Sequence, residues 1–435
     1  MPILTTTEKA GYDTSTIKVA YYVTPEQYGA IGDGVADDTV AIQNAALSGL
    51  DIKFGYRKTY AVTTRATCSN NQKVDFNGST INTEDSTAFL FVSGGQAGNG
   101  RVISSATTSG GNALIQCRLT QHAKQMIIHD MFGSNPNGVD NAFGINIEDF
   151  NLETAFVYNI DVDQCGRMGM EFVAHLTGRM KNAYAYNFNA KDTGLGTEFG
   201  MGISFSGWIQ NAKAMNVVVD GYNDIGIEFA SVLNGSIENF DCKNSVQGAH
   251  AINASTSTNS YYNQNIKVTN ANIADGHLSI KGTNVTYENL TYTGRADDEL
   301  EFQGKRTIVN NSEINGLGTV TISNAWADAI VVINNSDITL TGTNGFGLNS
   351  GCKLILNNTD VDILNATPTL ETTGDITFND CRKIKGGGVI AYAPSRIVAR
   401  DTDFLLTDGF NSTGTLHSDN STNNGADLPS IPASI

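Results

Sequence analysis

From residue 150 onward one short phrase keeps returning: YNIDV, YNFNA, MNVVV, ENFDC, TNANI, ENLTY, NNSEI, NNSDI, NNTDV, NDCRK and RDTDF. Its Asn or Asp falls at Asn159, Asn187, Asn216, Asn239, Asn270, Asn289, Asn311, Asn335, Asn358, Asp380 and Asp401, in steps of 19 to 31 residues that average near 24. A unit that short buries its apolar face only by stacking on its neighbours, so the period points to a solenoid. Apolar residues follow the marker at its first and third positions, as Ile160 with Val162 and Val217 with Val219, which is the alternation of a half-buried strand. A second phrase, GMGMEF, GMGISF, DIGIEF and DELEF, supplies another short strand in each turn.

The chain has no LxxLxL frame and no helix-length pattern of period 3.6, which excludes leucine-rich and helical repeats. The remaining reading is an all-β chain wound as a right-handed single-stranded parallel β-helix, each coil pairing with the next at about 4.8 Å. The marker amide is expected to be buried at a turn, bonded to backbone groups and to its counterpart one coil away.

Composition agrees with a turn-rich β protein. Charged residues make up 16% of 435, Gly numbers 45 and Pro only 7. A formal net charge of −17 argues against nucleic acid or an anionic membrane as partner. No stretch approaches the roughly 20 apolar residues of a membrane span, and MPILTTTEKAGYD lacks the basic and apolar regions of a secretory leader. Six cysteines, at 68, 117, 165, 242, 352 and 381, have no CxxC spacing and read as reduced core residues. The six histidines show no ligand spacing, and His122 and His129 read as structural.

Upstream of the repeats lies YGAIGDGVADDTVAIQNAA, from Tyr28 to Ala46. Gly29, Gly32 and Gly34 permit tight turns, Asp37 or Asp38 caps a short helix burying Ile42, Ala45 and Ala46, and Gly49 ends it. Three aspartates rule out a phosphate loop. The stretch, followed by IKFGYRKTYAVTT, resembles the N-terminal cap of the pectate-lyase-like superfamily found in bacteriophage tailspike depolymerases, close to GAxGDGxxDDTxAIQxA. Lys58-Thr59-Tyr60 stands where Gly-Thr-Tyr is common, a departure expected to affect only a turn.

The resemblance implies a homotrimer on a phage virion, held by an adaptor or baseplate protein, that acts at the host cell surface on a bacterial surface polysaccharide. It divides the chain into an N-terminal arm (1–22), a cap (23–64), a β-helix (65–404) and a short polar tail (405–435). No cofactor or metal is required.

On this scaffold the middle residue between two apolar ones in each second strand faces solvent in one column: Glu171, Ser204, Glu228, His250, Ser279 and Glu301. Glu171 and Glu228 fall two coils apart, about 9.6 Å between backbones, a separation that suits an inverting glycosidase. Glu228 is assigned as acid and Glu171 as base, with Asp220 and Asp224 as a competing carboxylate source within one coil.

Substrate contacts are expected from Arg167, Trp208, Tyr222, His250 and Glu198, the last on the insertion KDTGLGTEFGMG, which also carries Asp192 and walls a groove. The acidic turn at Asp297, Asp298 and Glu299 is read as solvated rather than as a calcium site. Two other readings stay open: a lyase acting on a uronic-acid-containing capsule, with His250 or a tyrosine as base and Arg167 neutralising the acid, and a receptor-binding spike without turnover.

Overall fold

The computed structural model describes residues 22–428 apart from 70, 108–111, 120–121, 138–141, 150–151, 175–178, 195–199, 255–262, 296, 323–327, 342–344, 365–369, 392–395 and 413–414. The chain is a right-handed parallel β-helix: from Tyr22–Val23 to Thr422–Asn423 each strand pairs in parallel with its counterpart in the next coil. All eleven repeat markers have φ between 46° and 56°. They occupy the left-handed region that Asn and Asp tolerate best among non-glycine residues. The first six bend a long strand, such as Leu152–Cys165 at Asn159, so that a single segment lines two sides of the coil, and the five from Asn311 to Asp401 stand in the short break between two strands.

The marker side chains are exposed, not buried as expected. A left-handed bend turns the side chain outward, where amides of neighbouring coils bond to one another. Asn187 Nδ2 donates to Asn159 Oδ1 at 2.8 Å, and the same bond repeats through Asn216, Asn239, Asn270 and Asn289 at 2.8 to 3.1 Å. Asp130 heads the stack, accepting from Asn159 Nδ2 at 2.8 Å. Glu288 heads two further stacks, accepting from Asn310 and Asn311.

Inside, one apolar cluster runs without a break from Val23 to Leu406. Like residues lie over like: Phe172, Phe205 and Phe229 succeed one another with ring centroids 5.0 and 5.3 Å apart. All six cysteines are buried with free thiols. The winding continues beyond Phe404, through Asp403–Ser412 and Thr415–Asp419, and closes on an antiparallel pair, Thr422–Asn423 with Ala426–Asp427. No helix of the described residues is long and apolar enough to cross a membrane.

At the other end the helix α1, Thr39–Leu47, lays Ala41, Ile42, Ala45 and Ala46 on that core. Asp38, at the N-cap position, does not cap it. Its buried carboxylate turns back to accept the N–H groups of Ile31 and Gly32 at 2.7 and 3.2 Å, while Asp37 Oδ1 receives Thr39 N–H at 3.0 Å. Lys58 does more than fill a turn. Its ammonium lies 3.0 Å from Glu26, which also accepts the Tyr60 hydroxyl, so the departure from Gly pins the loop to the first coil.

Candidate active site

The second strand of each coil has a five-residue frame. Phe143-Gly144-Ile145-Asn146-Ile147 lies in register with Met168-Gly169-Met170-Glu171-Phe172, then with Met201-Gly202-Ile203-Ser204-Phe205 and Ile225-Gly226-Ile227-Glu228-Phe229. The third and fifth residues join the main core. The first residues, with Ala113, form a separate small apolar cluster. Glycine is the point where the strand changes sides, and the packing demands it. A Cβ on Gly202 would meet Val219 Cγ2 at 2.5 Å and the Gly226 carbonyl at 2.6 Å, and one on Gly169 would meet the Gly202 carbonyl at 2.7 Å.

The fourth residues are the column that the sequence points to. Glu171 and Glu228 are each partly buried and each in register with Ser204. Asn146 Nδ2 donates to Glu171 Oε2 at 2.8 Å, and Ser204 Oγ donates to Glu228 Oε2 at 2.7 Å. Downstream the column continues through Asn253, Ser279 and Glu301.

His250 is not in it. It lies in register with Ile225, three residues earlier in the frame, and Asn253 takes the place beside Glu228. The frame in this coil is His250-Ala251-Ile252-Asn253-Ala254, and Ala251 in the glycine position erases the signature that would have fixed the register. His250 instead sits with its ring 5.3 Å from that of His277. Burial and the neighbouring His277 lower its pKa.

Burial pushes the Glu171 carboxyl up to about 7. It outweighs the Arg167 charge and the Asn146 hydrogen bond, and Glu228 and Glu148 add to the rise. Asp224, in the turn one residue before the strand of Glu228, is raised to about 6 by burial and by Glu228, against Arg167. Arg167 therefore acts on both raised carboxyls, and its guanidinium lies 5.3 Å from the centre of the Phe143 ring. Glu171, Glu228, Asp224 and Arg167 form one electrostatic unit.

The other expected residues are placed elsewhere. Asp220 follows the Asn216 corner, where it lies 3.6 Å from Lys243 and receives Asn244 Nδ2. Tyr222 is buried in the core and donates to the Asp275 carbonyl at 3.1 Å, so it presents no surface to a ligand. Trp208 comes just after the frame at an irregularity between Ser206 and Ile209, and the Arg179 guanidinium lies 4.3 Å from its ring centre. Glu198 lies outside the described residues. The ends of its insertion are tied together by Asn223, which accepts from Gly200 N–H and donates to the Gly194 carbonyl at 2.6 Å. Asp192 lies 3.9 Å from Lys191.

Asp298, read as solvated, is buried and accepts from the Arg295 and Gly276 N–H groups at 2.7 and 3.1 Å. Asn146 and Asn253 are the members of the site that sequence reasoning missed. The polar fourth position of FGINIE and HAINA was the signal for both.

Among solved structures, the chain is similar to the N-terminal fragment of gene product 12 of bacteriophage phi29, with a TM-score of 0.56 and 13% identity over 92% of this chain and 93% of that one. A bacteriophage protein shares this fold. Looser similarity, at a TM-score of 0.45 and 12% identity over 95% of this chain and 62% of the other, links it to tailspike protein 3 of bacteriophage CBA120. The phiAB6 tailspike, solved with oligosaccharides of Acinetobacter baumannii surface polysaccharide, matches at 0.41 and 15% identity over 60% of this chain and 47% of that one. No protein-family profile matches the sequence, and no curated protein matches it.

Proposed function

We propose that this chain is a tailspike-type depolymerase that binds a bacterial surface polysaccharide and cleaves it internally by glycoside hydrolysis. The observation that carries the reading is the Glu171–Ser204–Glu228 register, which holds two carboxyls two coils apart with one of them raised to about 7. Hydrolysis needs one carboxyl that keeps its proton near neutral pH to protonate the leaving oxygen and one carboxylate that activates water. The raised group is the acid, which favours Glu171 as acid and Glu228 as base, the reverse of the order expected from sequence. A backbone separation of about 9.6 Å leaves room for the attacking water and supports inversion. Asp224 and Arg167 hold the charge balance of the pair.

The virion setting and the trimer rest on the likeness of the cap, whose glycines Gly29, Gly32 and Gly34 all adopt positive φ.

The test is incubation with a panel of purified bacterial capsular polysaccharides, with products read by reducing-end assay and mass spectrometry. Hydrolysis yields new reducing ends and fragments heavier by one water than eliminative products. Glu171→Gln and Glu228→Gln are each expected to lose about 10²- to 10⁴-fold in rate while still binding. Products carrying an unsaturated uronate would overturn the hydrolytic reading, and wild-type turnover in both variants would remove the pair from the mechanism.

A further inference from the structure

Halfway round the coil from the carboxylates lies a second surface whose chemistry the cleavage reading leaves unused. Asn216 precedes Glu228 by 12 residues and Asn239 follows it by 11, in a coil of about 24. There the exposed amides of Asn187, Asn216, Asn239 and Asn270 line a shallow, open groove. Each spends one N–H and one oxygen lone pair on its neighbours in the stack. An amide carries two of each, so every coil still offers one donor and one acceptor to a ligand. These pairs repeat at the coil spacing, about 4.8 Å, which is comparable to one sugar unit of an extended glycan.

A second column is harder to explain by folding alone. Asn189 and Asn272 lie two residues beyond the corner, in register with Asp161, Val218, Asp241 and Thr291. Neither has the left-handed backbone that accounts for the markers, and Asn is depleted in strands. Both side chains are exposed on the same groove, Asn189 donating to Asp161 and Asn272 to Asp241. A position that goes against strand preference, buries no apolar surface and gains only an exposed hydrogen bond is where function is expected.

We propose that this amide-lined corner is a second carbohydrate-binding strip, which takes an uncharged stretch of polysaccharide laid along the helix axis. The amides bond to sugar hydroxyls, Val218 offers a small apolar floor, and Asp241 disfavours a uronate at the same place. The strip holds the polymer without reacting with it and stands whether or not the carboxylate column cleaves.

The test immobilises intact capsular polysaccharides, neutral and uronate-bearing, on a biosensor and passes the full chain over them. The wild type is expected to be retained by a neutral polymer. Asn189→Thr/Asn272→Thr, which keeps a strand-favouring side chain but removes both amides, is expected to bind about tenfold or more weakly. Val218→Arg, which fills the groove and leaves the amides in place, is expected to do the same.

Circular dichroism and melting of both variants, and their release of reducing ends from short oligosaccharides, are expected to match wild type. Wild-type affinity in both variants, or no retention of the wild type by any neutral polymer, would overturn the strip. Retention that is lost in the variants while no protein shortens the polymer would leave the strip standing and sink the hydrolase. Equal retention with normal shortening would do the opposite.

Discussion

Among single residues, Glu171 is a carboxyl that burial holds well above its ordinary pKa. Its pKa is raised in the folded chain, so folding favours the protonated form. Ionising it therefore removes stability as pH rises from the ordinary value of 4.5 through about 7. Glu171→Gln is expected to melt with the wild type at acid pH and to be more stable above pH 7, by on the order of 2 kcal/mol once residual solvent contact is allowed for. A variant no more stable than wild type at alkaline pH would show that the carboxyl is not held in its protonated form. On the proposed hydrolysis with Glu171 as acid, the rate is expected to fall as pH passes about 7, because the acid must carry its proton when the bond breaks, and a pH–rate profile flat through 7 would remove Glu171 from that role.

How far the residues were legible depended on whether neighbouring coils repeated them. Glu171, Ser204 and Glu228 were readable because three successive strands share a glycine, an apolar residue and a phenylalanine around them. His250 was misplaced because Ala251 broke that pattern. Tyr222 and Asp220 were drawn to the site by closeness in sequence. A strand that turns a left-handed corner at Asn216 points its later residues toward another side of the coil, and nothing in VDGYNDIG announces this.

The elements depend on two devices, the glycine row and the amide stacks. Gly202→Ala would push Val219 and the Gly226 carbonyl apart at the coil between the two glutamates. Overpacking of this kind costs about 1–3 kcal/mol, and here it also displaces Ser204, so activity is expected to fall further than a lowered melting temperature explains. Assays well below the melting transition check this, and full activity there would mean the frame tolerates the shift.

In the stacks headed by Asp130 and Glu288 the amides donate toward the N-terminal end, where a carboxylate receives the last bond, whereas the stack that runs from Asn284 to Asn182 ends on the Thr154 hydroxyl. Asp130 at the head of one stack is held below its usual pKa, first by its bond with His129 and then by that from Asn159. A depressed acid adds stability above its unfolded pKa, and this is lost as pH falls through the lower folded value. Asp130→Asn should accordingly melt below wild type at pH 7, with the gap closing on acidification below the ordinary value of 3.8. A gap that does not change with pH would assign the loss to shape and not to charge.

For the molecule as a whole, stability is a sum over coils and the interfaces between them, with the ends most exposed to error. Ile42 is almost fully buried where the helix α1 closes the first coil. Ile42→Asp places an unpaired carboxylate on that surface and is expected to uncover strand edges that pair with other chains. Light scattering on mild warming reads the outcome, and a variant that stays monodisperse would show that the cap is dispensable. The solenoid and its cap were legible because the period and the glycine-rich phrase are local. The winding beyond Phe404 was not, because few apolar residues mark it: among the described side chains Phe404 and Leu406 are buried and Leu416 and Leu428 pack against the core.

The spacing between Glu171 and Glu228 is counted in coils, with Ser204 occupying the single rung between them. The connections that leave and re-enter those rungs can thus lengthen, shorten or be exchanged without moving either carboxyl. Under the proposed function, such a molecule would change which sugar it accepts by trading loops while the carboxyl spacing stays fixed by the winding, an arrangement suited to pursuing a host whose coat keeps changing.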